Sequence, residues 1–214
     1  MPAQLVIFDF DGTILDSMQF ILNETNRALT KRGLGQIGPD LLARMAGHKL
    51  SDILKAEMKI PHRVLEEVEK EVFESYMNCH GECSLFPNTK RTLRHLRLNG
   101  AKLALLTTTP KAAVNHHIDR LDLRDFFDII LAREDISKCK PNPEGILQIA
   151  RTMETKTTDY VYVGDSPADI AAGRAAGTKT VGVLTGLSSR EQLRKEKPDL
   201  LVNSISDLVS MSLG

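Results

Sequence analysis

Two aspartates in Asp9-Phe10-Asp11-Gly12-Thr13 stand two residues apart, directly after the apolar run Leu5-Val6-Ile7-Phe8. Residues two apart on an extended segment face the same way, so both carboxylates project together from the end of a strand. In open α/β sheets the ligand crevice lies at the carboxyl ends of the strands. Neighbouring carboxylates resist joint ionisation unless a cation or a proton is shared. One can then attack as a carboxylate while the other carries a proton, a nucleophile beside a general acid. Asp and Gly also favour plain turns. A calcium loop would place Gly sixth, whereas Gly12 is fourth counting from Asp9.

Three further segments have the same character. Gly164-Asp165-Ser166-Pro167-Ala168-Asp169 follows a second apolar run. Ser166 suits a helix cap and Pro167 a first helical position, which sets Asp169 one turn in, near Asp165. Two acids at a strand end read as ligands for a hard cation such as Mg²⁺, or equally as helix-start acids that satisfy the dipole. Thr107-Thr108-Thr109-Pro110 opens a helix and offers hydroxyls and free N–H groups to an anion, although three Thr before a Pro also make an ordinary cap. Lys138-Cys139-Lys140-Pro141-Asn142-Pro143 supplies a cation just before another helix. Taken together, a carboxylate pair, an anion site, a Lys and a second acid pair suit phosphoryl transfer.

The elements that must hold these groups are visible as periodicity. Apolar runs at residues 5–8, 103–106, 127–131, 160–163, 181–184 and 200–202 are continuous rather than alternating, as strands buried on both faces are. Between them, residues 88–99, 111–121, 144–153, 168–176 and 190–197 read as helices, so the chain from 87 onward alternates as a doubly wound parallel α/β sheet does. Residues 16–86 break that order. They read as amphipathic helices at 18–31, 39–46, 50–58 and 62–78. The expected organisation is an α/β core of residues 1–15 and 83–214 with a helical unit, 16–82, inserted into one of its loops.

With four such motifs in order, the chain resembles the haloacid dehalogenase superfamily over essentially its whole length. The likeness is to the branch with a helical cap after the first motif, phosphoglycolate phosphatase and its relatives. The resemblance implies a Mg²⁺-dependent phosphatase of small phosphorylated metabolites, with Asp9 as nucleophile and Asp11 as acid/base. It implies phosphate binding by Thr107, Thr108 and Lys140. The metal would be held by Asp9, the main chain of Asp11 and Asp165, with Asp169 behind them. It also implies that the loop around His48 and Lys49 reaches over the site and reads the substrate, unless that loop is only a helix connection. Many relatives carry Asn where this chain has Thr108, and Gly where it has Cys139. The second Asp of the first motif points away from dehalogenation and towards phosphate esters. A phosphomutase with the same core and a non-catalytic binding module are the alternatives.

Composition removes other classes. Of 214 residues, 28 are Lys or Arg and 28 Asp or Glu, so the formal net charge is zero and gives no bulk attraction to nucleic acid or anionic lipid. No apolar run approaches the ~20 residues of a membrane span. Three cysteines, an odd number, fit a reducing cytoplasm, and a monomer is the default expectation. Gly33-Leu34-Gly35-Gln36-Ile37-Gly38 spells GxGxxG but follows a helical stretch, which fails the dinucleotide context. Cys79-His80-Gly81-Glu82-Cys83 is too loosely spaced for zinc, and His116-His117 reads as a solvated pair on a surface helix.

Overall fold

All four residues of Leu5–Phe8, strand β1, are buried. Val6 and Phe8 pack into one hydrophobic cluster, Leu5 and Ile7 into another on the opposite face. A strand covered on both sides has no polar face to show, which accounts for the unbroken apolar run. The structure is a computed structural model and describes residues 5–45, 50–79, 81–154 and 159–210.

After β1 the chain forms the short strand β2 (Leu15–Asp16) and four helices, α1 (Met18–Thr30), α2 (Pro39–Met45), α3 (Leu50–Met58) and α4 (His62–Met77), then the short strand β3 (Ser84–Leu85). It next alternates α5 (Thr89–Leu98), β4 (Lys102–Leu106), α6 (Lys111–Arg120), β5 (Ile129–Leu131), α7 (Glu144–Thr152) and β6 (Tyr160–Gly164). It closes with α8 (Pro167–Ala176), β7 (Lys179–Val183), α9 (Arg190–Lys195) and β8 (Leu200–Val202). The main sheet has the order β5-β4-β1-β6-β7-β8, and every pair is parallel. This is the doubly wound α/β fold that the alternation predicts. Side chains of α5 and α6 cover one face, and those of α7 and α8 the other.

Register decides what meets at the strand ends. Phe8 lies level with Leu105 of β4 and Val163 of β6. Asp9, Thr107 and Asp165, each one or two residues further on, therefore emerge together where the strand order reverses about β1.

Helices α1 to α4 bury a separate cluster that includes Leu22, Leu29, Leu54, Leu65 and Val68. They depart from and return to the sheet through the antiparallel pair of β2 and β3, in which Leu15 lies opposite Leu85. That two-residue ribbon is too short to leave a periodic signal. Strand β5 is shorter than the expected 127–131, because Phe127 closes a 3₁₀ turn at Arg124–Phe126 instead of joining the ladder. Cys79 and Cys83 are buried and joined as a disulfide, with Cα atoms 5.6 Å apart. The odd cysteine count does not anticipate that pairing. The expectation of a solvated His116-His117 pair fails for His117, which is fully buried against the Tyr76 ring, centroids 4.4 Å apart. The cause is contact between α6 and α4, which no local periodicity records. Among the described residues no helix is long and apolar enough to cross a membrane.

Candidate active site

The first motif extends the ladder and then folds back on itself. The Asp9 N–H donates to the Val163 carbonyl at 2.9 Å, continuing the β1–β6 pairing. The Phe10 carbonyl accepts from the N–H groups of Thr13, Ile14 and Leu15. Phe10 and Ile14 are fully buried and anchor this tight loop. Gly12, at φ +80°, lets it pass Asp165, since a Cβ there would lie 2.6 Å from Asp165 Oδ2. A Cβ on Gly186 would also run into the Asp165 carboxylate.

Lys140 is buried and donates 2.6 Å bonds to both Asp9 Oδ1 and Asp169 Oδ1. Burial opposes its charge, but Asp169 and Asp9 outweigh that and hold the ammonium well above its usual range. Asp169 is saturated. Its Oδ1 takes Lys140 and the Tyr162 hydroxyl at 3.1 Å, and its Oδ2 takes the Ser166 N–H at 3.0 Å and the Ser166 hydroxyl. Ser166 and Asp169 form the reciprocal capping box of α8. Asp169 is thus both the helix-start acid and the partner that orients Lys140.

Asp165 is less well served. It is 3 % exposed and accepts a 3.2 Å hydrogen bond from the Thr13 hydroxyl. Burial, reinforced by the charges of Asp169 and Asp9, pushes its carboxyl well above the usual range. Burial likewise raises Asp9 to about 7, although Lys140 opposes the shift. Oxygens of Asp9, Asp165 and Asp169 lie within 4.8 Å of one another. Fully ionised, the three carboxyls would face one ammonium and stand two positive charges short of neutrality, so they must share protons or a cation. Buried charge of that kind is stable only when paired, and an all-oxygen donor set suits a hard divalent cation. The residues therefore fit the metal that the resemblance implies, which Asp9 and Asp165 could hold between them.

Asp11 faces the same cavity as Asp9 but has different partners. Its Oδ1 accepts from the Ser17 hydroxyl at 2.5 Å and the Tyr76 hydroxyl at 2.6 Å, and its Oδ2 accepts from the Thr109 hydroxyl. Ser17 occupies the cap position of α1 but makes no side-chain cap bond, because its hydroxyl serves Asp11 instead. Tyr76, on α4, is buried, and burial followed by the Asp11 charge keeps its phenol protonated. None of these three donors to Asp11 is singled out by sequence reasoning. Thr109 sits in a quoted motif, and Ser17 resembles a simple cap. Tyr76 stands 65 residues away with no motif around it.

Thr107 is buried at the end of β4, and its hydroxyl accepts from the Thr109 N–H at 3.1 Å. Thr107, Thr108, Thr109 and Lys140 line the same cavity, of about 620 Å³, as Asp9, Asp11 and Asp165. The proposed substrate readers His48 and Lys49 lie outside the described residues.

Comparisons with known proteins agree with this arrangement. The family model for haloacid dehalogenase-like hydrolases matches residues 6–183. Over 213 residues the chain is 29 % identical to a pyrophosphatase PpaX of Anoxybacillus flavithermus, covering 99 % of this chain and 97 % of that protein. It is 26 % identical to a phosphoglycolate phosphatase of Pseudomonas putida, covering 96 % and 78 %. In fold, the crystal structure of a hydrolase from Pseudomonas syringae superposes with a TM-score of 0.86 at 22 % identity, over 97 % of this chain and 96 % of that one.

Proposed function

The chain belongs to the haloacid dehalogenase-like hydrolases and is a phosphatase, and from that premise we propose a Mg²⁺-dependent hydrolase of small phosphate monoesters that works through a phosphorylated Asp9. The observation that carries the proposal is the division of labour between the two carboxylates of one loop. Asp9 is held against Lys140 and Asp165, and Asp11 against three hydroxyls, yet both open into one cavity.

Asp9 attacks phosphorus, forming a P–O bond to its carboxylate as the ester P–O bond breaks. Asp11 protonates the departing alkoxide, then takes a proton from the water that cleaves the aspartyl-phosphate. Three hydroxyl donors on Asp11 fix the direction in which that proton moves. Lys140 offsets charge on the phosphoryl oxygens while Asp169 stops it from swinging away, and Thr107 and Thr108 complete the phosphate cradle. Asp9, Asp165 and the Asp11 main chain would hold Mg²⁺, which supplies positive charge to the phosphate. The unit of residues 16–82, which holds helices α1 to α4, acts as a cap over the core of residues 1–15 and 83–214. The cap excludes water during transfer and opens to release product. A monomer acting in the cytoplasm on free metabolites is the default, and zero net charge gives no bulk attraction to nucleic acid or anionic lipid.

The test is phosphate release from a panel of monoesters by the wild-type chain and by Asp9→Asn. Wild type should turn over at least one ester, and the amide variant none, because it cannot form the phosphoenzyme. Turnover by Asp9→Asn would refute the scheme.

A further inference from the structure

The cavity above the proposed nucleophile is larger and more apolar than a two-carbon acid or pyrophosphate requires. Its walls on the helical side are Met18, Ile21, Leu42, Leu50, Val72 and Phe73. These come from all four helices α1 to α4, so the apolar wall is a property of the whole insertion rather than of one residue. At about 620 Å³ the space falls in the range that buries most of a drug-sized ligand.

Charge around the cavity points the same way. Lys140 is committed to Asp9 and Asp169. The other cations among the described lining residues are Lys70 and Arg133, and each stands beside a glutamate, Lys70 at 3.9 Å from Glu74 and Arg133 at 3.9 Å from Glu134. Glu66, Glu69 and Glu134 also line the space. A carboxylate or second phosphate entering it meets three lining glutamates against two cations that each already stand beside a glutamate. A sugar ring would reach the glutamates with some of its hydroxyls and leave the others facing methyl and phenyl groups, and burying hydroxyls without partners is costly.

We infer that the substrate is a phosphate monoester whose organic group is uncharged and largely apolar or aromatic, seated against Phe73, Val72 and Met18. This rests on the phosphatase reading and adds the class of leaving group to it. It differs from what the names of the relatives state for those proteins.

The experiment compares primary alkyl esters, so that leaving-group reactivity is matched: 2-phenylethyl phosphate, phosphoglycolate and glucose 6-phosphate, with pyrophosphate as a fourth arm. Phosphate release is measured with Mg²⁺ present. One methylene in an apolar pocket is worth roughly 10–200-fold in specificity, so kcat/KM for 2-phenylethyl phosphate should exceed each of the others by at least ~10-fold. Phe73→Ala should raise KM for 2-phenylethyl phosphate by ~10-fold and leave the weak turnover of phosphoglycolate unchanged. Met18→Gln, which keeps the shape of a half-buried side chain, should act in the same direction and guards against a folding defect in Phe73→Ala. Preference for phosphoglycolate, glucose 6-phosphate or pyrophosphate overturns the inference, leaves the phosphatase intact and points to an anion reader such as His48 or Lys49. Release from none of the four overturns the monoesterase reading along with it.

Discussion

Tyr76→Phe tests whether a helix of the insertion positions the acid/base. The ring stays, so its packing on His117 at 4.4 Å between centroids is kept and no cavity opens. What disappears is the 2.6 Å bond to Asp11 Oδ1, whose other donor is Ser17 at 2.5 Å. A hydrogen bond to a charged group is worth about 1.5–3 kcal/mol, which is roughly 10–150-fold in rate. Two donors remain on Asp11, which favours the lower part of that range. The loss cannot exceed that of Asp11→Asn, set by the ~10²–10⁴-fold of general acid–base catalysis. The assay is kcat for one alkyl ester and for p-nitrophenyl phosphate, with Tm as a control for folding. An alkoxide needs its proton in the first step, whereas nitrophenolate leaves readily as the anion. Alkyl turnover should therefore fall ~10–30-fold, and formation of the phosphoenzyme from the aryl ester much less. Rapid mixing should show a burst of nitrophenol close to one per enzyme, because the water step still needs Asp11. Equal losses on both esters without a burst, or no loss at all, would refute the assignment of Tyr76 as a positioning residue.

Other outcomes follow from the same geometry. Mg²⁺ should raise Tm by mass action, about 2.7 kcal/mol at a hundredfold excess over Kd, and Asp165→Asn should abolish the shift; an undiminished shift in that variant moves the metal elsewhere. Lys140→Met should cost about 3–5 kcal/mol in urea unfolding, because it strands Asp9 and Asp169 as buried carboxylates; a loss below 1 kcal/mol contradicts the network. Burial holds His117 down at about 4. Since the unfolded chain takes up that proton near pH 6.5, the stability contributed is present above pH 6.5 and is lost as pH falls from there towards 4, by at most about 3 kcal/mol. The urea midpoint of His117→Gln should be correspondingly flatter between pH 7 and 4.5, and matching profiles would show that His117 titrates normally.

Much of the fold is legible because it is local. Continuous apolar runs give β1, β4, β6, β7 and β8 within two residues of where they lie, since burial on both faces leaves no alternation to misread. Helices α1 to α9 follow their amphipathic stripes in the same way. Helix α2 is described to Met45, and the expected Ala46 lies outside the described residues. The four motifs are legible for a related reason: each joins a strand end to a helix start, and parallel strands bring such junctions to one edge.

Tertiary structure alone decides who touches whom at that edge. The sequence treats Asp9 and Asp11 as a matched pair, but register with Val163 delivers Asp9 to Lys140, and the returning helix α4 delivers Tyr76 to Asp11. The pairing of Asp165 with Asp169 separates likewise. Ser166, Tyr162 and Lys140 consume the acceptors of Asp169 and leave Asp165 as the under-compensated charge. Sequence spacing records which groups arrive at a sheet edge. It does not record partners 65 or 131 residues away, because those depend on how whole layers pack. The chemical type of the site is therefore readable from the residues in order, and the separate partners of its four aspartates only from the packed structure.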